Sequence, residues 1–349
     1  MFPIGFIGKT GSHRIFHELR SNDMFLGLLA GILFALDTVV LELAMCTPAY
    51  SDNATVVFLA PYISNFLHYA FSSVWLLGYL CFKKQCRGAF AALRTRGGQI
   101  VTIANLLGGV VGMSAYVAAI HYIGPALTAA ISALFPAVGA LLAYVFLGEH
   151  IGWFQLFGLL VSVTGVAVLG YAPSDGGTEN QVLGFLFAGI CCLSWAMESV
   201  LFSYGFPKAG ISQSQALLLR QMLSAVFNGL VILPLLRGWK WTVSVFPDRS
   251  TVYILLGALL LTGSYLCYYK AITAIGATKA MALNITYTAW AFVFSAVLLN
   301  TASDLRSVLC GVAIVGGSLA ASVNLKPEKD GKLQNRNENM VLWKDHLKE

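Results

Sequence analysis

Residues 116–147 read YVAAIHYIGPALTAAISALFPAVGALLAYVFL, and residues 268–299 read YYKAITAIGATKAMALNITYTAWAFVFSAVLL. The two stretches align at a constant offset with no gap. Tyr116 meets Tyr268, Ala119 meets Ala271 and Ile120 meets Ile272. Ile123-Gly124 meets Ile275-Gly276, while Ala130, Ala137, Val145 and Leu147 meet Ala282, Ala289, Val297 and Leu299. Each copy predicts an apolar helix, a turn at the Gly and a second apolar helix. Chance identities are frequent in a chain rich in Ala, Leu and Ile, and the Ile-Gly turn shared in one register adds to them. A repeat of this kind sets the architecture. The chain between the copies decides whether they lie parallel or inverted in a membrane.

Only 11% of the residues are charged and 57% are hydrophobic. That balance is too apolar for a soluble globule and typical of a polytopic membrane protein. Length then counts helices, since a bilayer span needs about 20 apolar residues. Apolar windows fall at 24–46, 58–82, 99–121, 125–147, 152–171, 182–204, 213–236, 251–274, 278–299 and 305–323. The fold class they predict is all-α, with about ten transmembrane helices. Residues 1–23 carry Lys9, Arg14 and Arg20, whose charges lead into a full-length span, so they predict a cytoplasmic tail. Residues 324–349 are polar with mixed charge and predict a disordered tail. The seven Cys show neither metal-ligand nor disulfide spacing and read as small core- or lipid-facing residues.

Lys and Arg set the orientation. The 83–98 loop holds Lys83, Lys84, Arg87, Arg94 and Arg96, and the C-terminal tail is also basic. The 47–56, 122–125 and 172–181 loops hold none, which places both termini inside. Arg237, Lys240 and Arg249 in the 237–250 loop run against this assignment. The formal charge of +6 thus reflects topology rather than a nucleic-acid surface. An odd number of crossings separates the copies, so they are expected as inverted five-helix repeats, 24–171 and 182–323, joined by an external linker at 172–181. The same offset pairs Phe66-Leu67-His68 with Leu218-Leu219-Arg220, and Gly158 nearly meets Gly311. Gly108 and Gly112 read as generic close-packing residues.

Two five-helix halves, the Ile-Gly turns, Leu147-Gly148-Glu149 closing the fourth helix and Gly-rich fifth and tenth helices resemble the EamA family of the drug/metabolite transporter superfamily. The resemblance covers roughly residues 24–323 and specifies architecture better than substrate. It implies a secondary carrier working by alternating access, with a central cavity between the halves. The Arg commonly seen in the second and seventh helices of the family is present as Arg220 and replaced by His68 in the first half. Asp37 and the long aromatic complement also resemble the LicB-type choline permeases.

An acid inside hydrocarbon usually faces a partner or a watery cavity. Asp37 is the deepest candidate, as a substrate counter-charge or a proton carrier. Glu42 lies five residues later, about 140° round the helix, and reads as a headgroup-level residue or a proton relay with His68. A lone intramembrane His also serves as a packing residue. Glu198 and Arg220 reach similar depth and predict either a structural ion pair or a gate. Glu149 reads as a solvated helix end. Tyr265, Tyr268 and Tyr269 share one helical face; Tyr287 lies one turn from Asn284 and close to Trp290; Tyr116 is the echo of Tyr268; Trp195 lies one turn before Glu198. Singly these are ordinary core or interface aromatics. Together with an acid they suit a cation.

Nucleotide-binding loops, metal clusters and nucleophile elbows are missing from the sequence. The expectation is therefore a non-enzymatic carrier without cofactor, metal or nucleic-acid partner. Its partners would be a bilayer and a small-molecule substrate, as monomer or homodimer in the plasma membrane (the inner membrane of a bacterium). The substrate that fits best is a choline-like organic cation. Alternatives are a proton-coupled exporter of amino acids or drugs, and a membrane enzyme acting on lipid headgroups through Glu42 and His68. An anionic substrate fits less well, because only Arg220, Lys270 and Lys279 oppose Asp37 and Glu198.

Overall fold

A computed structural model describes residues 9–149, 151–170, 181–299 and 305–322, and among them every regular element is a helix. The helices are α1 (Lys9–Met45), α2 (Pro48–Ser51), α3 (Ala54–Phe82), α4 (Cys86–Ala92), α5 (Arg96–Asn105), α6 (Met113–Ser132), α7 (Phe135–Leu147) and α8 (Trp153–Gly170). They continue as α9 (Gln181–Gly205), α10 (Gln213–Phe227), α11 (Leu233–Leu235), α12 (Trp239–Val245), α13 (Ser250–Ile275), α14 (Ala277–Asn284), α15 (Tyr287–Leu298) and α16 (Leu305–Ser322). Seven of the described helical stretches are long and apolar enough to cross a membrane. Three further apolar helices are shorter: Phe135–Leu147, Trp153–Val168 and Val308–Ala321. The ten apolar windows of the sequence fall on these seven and three.

Three boundaries differ from the sequence reading. First, α1 begins at Lys9, inside the expected tail. Neither Gly nor Pro occurs at 12–23, and extending an existing helix costs little once it is nucleated. Second, the first copy does not turn at Gly124: α6 runs on to Ser132 and the chain restarts at Phe135. Pro136 sets this break, because it lacks an N–H for the carbonyl four residues back and its ring crowds that carbonyl. Third, the second copy breaks twice, at Gly276 and again at Ile285–Thr286, the positions equivalent to Ala133–Leu134. Gly276 has a φ of +88°. Glu149 accepts hydrogen bonds beyond it from the N–H groups of Ala277 and Thr278, at 3.2 and 3.3 Å, and from Thr278 Oγ1 at 2.7 Å. Glu149 is thus a cap on the α14 N-terminus, not a solvated helix end, and no carboxylate stands at the equivalent position, Thr301.

Helix contacts run mainly between the halves. α1 packs on α13, α6 on α9, α3 on α10 and α8 on α16. The α8–α16 crossing is the closest kind. A Cβ on Gly158 would lie 2.6 Å from Ala321 N and 2.7 Å from Gly317 O, so only Gly fits. The partner of Gly158 is therefore Gly317; Gly311 meets nothing nearer than Ala289 Cβ at 3.9 Å. Ser162 and Ser318 hydroxyls meet across the same crossing at 2.8 Å. Cys81 and Cys86, read as small core- or lipid-facing residues, have their sulfurs 2.8 Å apart where α3 turns into α4. The 237–250 loop contains α12, pinned by Trp239 Nε1 donating to Gly229 O at 3.0 Å. The linker expected at 172–181 lies outside the described residues except for Gln181, as does the tail 324–349.

Candidate functional site

The site begins with a helix start. Ser212 Oγ accepts from Gln215 N at 3.3 Å while Gln215 Oε1 accepts from Ser212 N at 2.8 Å, a reciprocal cap that fixes where α10 begins. Arg220 follows about two turns in and is fully buried. Its Nε donates to Glu198 Oε1 at 2.6 Å, and its Nη2 donates to Glu198 Oε2 at 3.4 Å and to Tyr265 OH at 2.8 Å. Tyr265 also lies under the guanidinium, with 4.0 Å from Cζ to the ring centroid. The Tyr269 hydroxyl stands between Glu198 Oε1 at 3.0 Å and Asn105 Oδ1 at 2.9 Å, and its single proton can serve one acceptor at a time.

Room for this pair comes from the facing helix. Between α5 and α6 the chain widens into a π-helical segment, Leu106–Gly112. A Cβ on Gly108 would collide with Glu198 Oε2, one on Gly109 with Ser224 Oγ, and one on Gly112 would sit 2.8 Å from Trp195 Cδ1. The glycines read as generic packing are specific to the ion pair and its neighbouring ring. Short π segments inside α-helices often mark functional sites.

Beside the pair lies a cavity between the halves. Glu198, Trp195, Tyr265, Tyr268, Asn284 and Tyr287 line it, together with Phe34, Phe135, Ser199 and Ser264. The break at Ile285–Thr286 brings Asn284 and Tyr287 there by folding over Gly31 of α1, where a Cβ would lie 2.7 Å from Thr286 Oγ1. Phe34 packs edge-on to Tyr287 at 4.8 Å, and Phe135 edge-on to Trp195 at 5.9 Å. Tyr268 bonds Ser199 through their hydroxyls at 2.8 Å. The space left is about 40 Å³, enough for about three waters and less than an organic solute needs. A larger groove between α7 and α8 is almost wholly apolar and opens among exposed Leu141, Tyr144 and Trp153, as a lipid-facing surface does.

Of the residues singled out in the sequence, the cavity gathers Trp195, Glu198, Tyr265, Tyr268, Asn284 and Tyr287. Tyr116 stands one layer back, 5.4 Å from the Trp195 ring. Trp290 is not in the lining; its ring stacks on Phe294. Asp37 is not in the lining either. It is buried and bonds His68 Nε2 through Oδ1 at 2.9 Å, under Gly257 of α13, where a Cβ would come within 2.8 Å of Asp37 Oδ1. Glu42 is exposed, so His68 has Asp37 rather than Glu42 as its partner. Lys270 is exposed. Each half therefore joins its first and second spans by one buried acid–base contact, Asp37–His68 and Glu198–Arg220. Sequence reasoning missed Phe34, Phe135, Ser199 and Ser264 as lining residues, and their nearness in sequence to Asp37, Pro136, Glu198 and Tyr265 was the available signal.

Several membrane-length apolar helices round a buried charge pair and an aromatic cavity define an integral multi-pass membrane protein. Residues 23–171 match the EamA-like transporter family. Protein LicB of Haemophilus influenzae is 35% identical over 191 residues, 54% of this chain and 63% of that protein. The matched stretch thus spans just under two thirds of that curated relative's length. A solved crystal structure of a protein, at 17% identity, superposes with a TM-score of 0.68 over 86% of this chain and 98% of that one, which establishes the shared fold. Residues 23–171 are thus similar to the EamA-like transporter family, and the chain is similar to LicB over 191 residues.

Proposed function

We propose that the protein is a secondary carrier that moves a small organic cation, choline-like, by alternating access through the cavity between its halves. The observation that carries this reading is the lining: Glu198 is its one carboxylate, set among Trp195, Tyr265, Tyr268 and Tyr287. A quaternary ammonium makes no strong hydrogen bonds to water, and each ring face offers it up to about 2 kcal/mol. The role first assigned to Asp37 passes to Glu198, because Asp37 is held by His68 outside the lining. The LicB relation points to the same substrate class. Purified protein should bind choline and bind its neutral carbon isostere, 3,3-dimethyl-1-butanol, far more weakly. Failure to bind any quaternary amine would return the substrate to an unspecified metabolite.

A second reading, proton coupling, is favoured by the buried Asp37–His68 contact lying apart from the cavity. On this reading Asp37→Asn spares choline binding and abolishes uptake driven by a proton gradient in proteoliposomes. A headgroup enzyme is disfavoured, since Glu42 is exposed and His68 is held by Asp37 instead.

The architecture in this reading is ten spans, both termini cytoplasmic, with 24–171 and 182–323 as inverted repeats. Support comes from exchanged contacts: α1 on α13 mirrors α9 on α6, while α3–α10 and α8–α16 map onto themselves. Single cysteines at Arg94 and Arg249, both exposed, should label from opposite faces of the membrane in a background lacking the native Cys. Labelling from one face would exclude an inverted repeat.

A further inference from the structure

We infer that the transported cation and the Arg220 guanidinium compete for the Glu198 carboxylate, so that loading the cavity is what separates the ion pair. The inference rests on the cation reading of the cavity and adds how occupancy would be sensed.

Four observations carry it. Glu198 is both the acid of the cavity and the counter-ion of Arg220, and its two oxygens are already engaged by Nε, Nη2 and Tyr269 OH. The space beside it is too small for an organic cation while the pair is closed. One arm of the pair is weak: Nη2 reaches Glu198 Oε2 at 3.4 Å but Tyr265 OH at 2.8 Å. Finally, Arg220 has other partners within reach. Its Nη1 is buried with no acceptor, and Ser224 Oγ, one turn along α10 and beside the same Gly109, is also without a partner. The rings of Tyr265 and Tyr69 stand 4.0 and 6.0 Å from Cζ. A guanidinium released by Glu198 would keep Tyr265 OH and the two neighbouring rings, and would gain the Ser224 hydroxyl as an acceptor. Stacking on aromatic faces while hydrogen-bonding sideways is a habit of Arg that Lys lacks.

Physically, one carboxylate cannot fully neutralise two cations in a poor solvent. The site therefore prefers either the Arg-paired, empty form or the cation-loaded form with Arg220 turned away. Affinity for the cation is reduced by the fraction of molecules whose Glu198 is already free. Removing the competitor should raise it.

The test uses the full chain in detergent, choline as probe and 3,3-dimethyl-1-butanol as its neutral control. Arg220→Gln should bind choline about tenfold or more tightly than the unmodified protein, with transport lost. It should also gain a larger melting shift from choline, because choline then neutralises an otherwise bare acid. Should Arg220→Gln not fold, [15N]Arg-labelled unmodified protein supplies the second measurement. The Arg220 Nε–H resonance, assigned by its absence in Arg220→Lys, should move with choline and stay still with the neutral isostere. Choline binding with an unmoved Nε–H, or with Arg220→Gln binding no tighter, overturns the competition and leaves the cation carrier standing. No choline binding by the unmodified protein overturns both.

Discussion

Replacing Glu198 or Arg220 alone should destabilise the protein by about 3–5 kcal/mol, and replacing both should cost less than either. The reason is asymmetry. Both groups are buried, Arg220 completely, and each is the other's only charge partner at hydrogen-bond distance among the described residues. Glu198→Gln leaves a guanidinium whose Nη1 already has no acceptor, and it cannot shed its charge. Arg220→Gln leaves a carboxylate with only Tyr269 OH to stabilise it. The double change to Gln removes both charges and leaves two amides to meet. A double-mutant cycle in thermal or denaturant melts measures the coupling. Two single effects that simply add would mean the groups are not coupled, and the ion pair would not be the organising feature of this site.

Gly108→Ala should weaken choline binding by roughly 10- to 100-fold, the loss expected when about 1.5–3 kcal/mol of charge-assisted contact is misplaced. One added methyl would occupy the place of Glu198 Oε2, so the carboxylate must swing away from both Arg220 and the rings. Backbone strain plays no part, because Gly108 sits in helical conformation within the π segment. Gly189→Ala on α9 is the matched control: its Cβ would meet no atom within 4 Å, and its effect should stay within about 0.5 kcal/mol. Isothermal titration of both variants with choline decides the matter. Equal affinities would show that the carboxylate is not held where the geometry puts it.

Much of the scaffold was legible in the chain because hydrocarbon leaves a backbone few options. A span must satisfy its own hydrogen bonds, so apolar length translates directly into helix. That is why each apolar window falls on described helical structure, two of them broken at 133–134 and 285–286, and why Glu198 and Arg220 could be matched by depth alone. The turn at Gly124 was misread because a Gly permits a break without requiring one. What breaks the chain in that copy is Pro136, and what sustains the break at Gly276 is the Glu149 carboxylate, brought from a distant part of the sequence.

The sequence by itself determined a polytopic helical membrane protein, the repeated stretch at 116–147 and 268–299, and the inventory of buried acids, bases and rings. Helical periodicity and the cost of burying charge are local rules, and they operate on residues a few positions apart. Only the tertiary structure decided which acid meets which partner. Asp37 and Glu198 are equally buried, and composition cannot rank them. The packing of α13 on α1 sets Asp37 against His68 under Gly257, while the π-helical widening at Leu106–Gly112 admits Glu198 to both Arg220 and the aromatic cavity. Partner choice in a low-dielectric interior follows from which helices touch and at what register, since charge pairs there must be in contact to offset their desolvation.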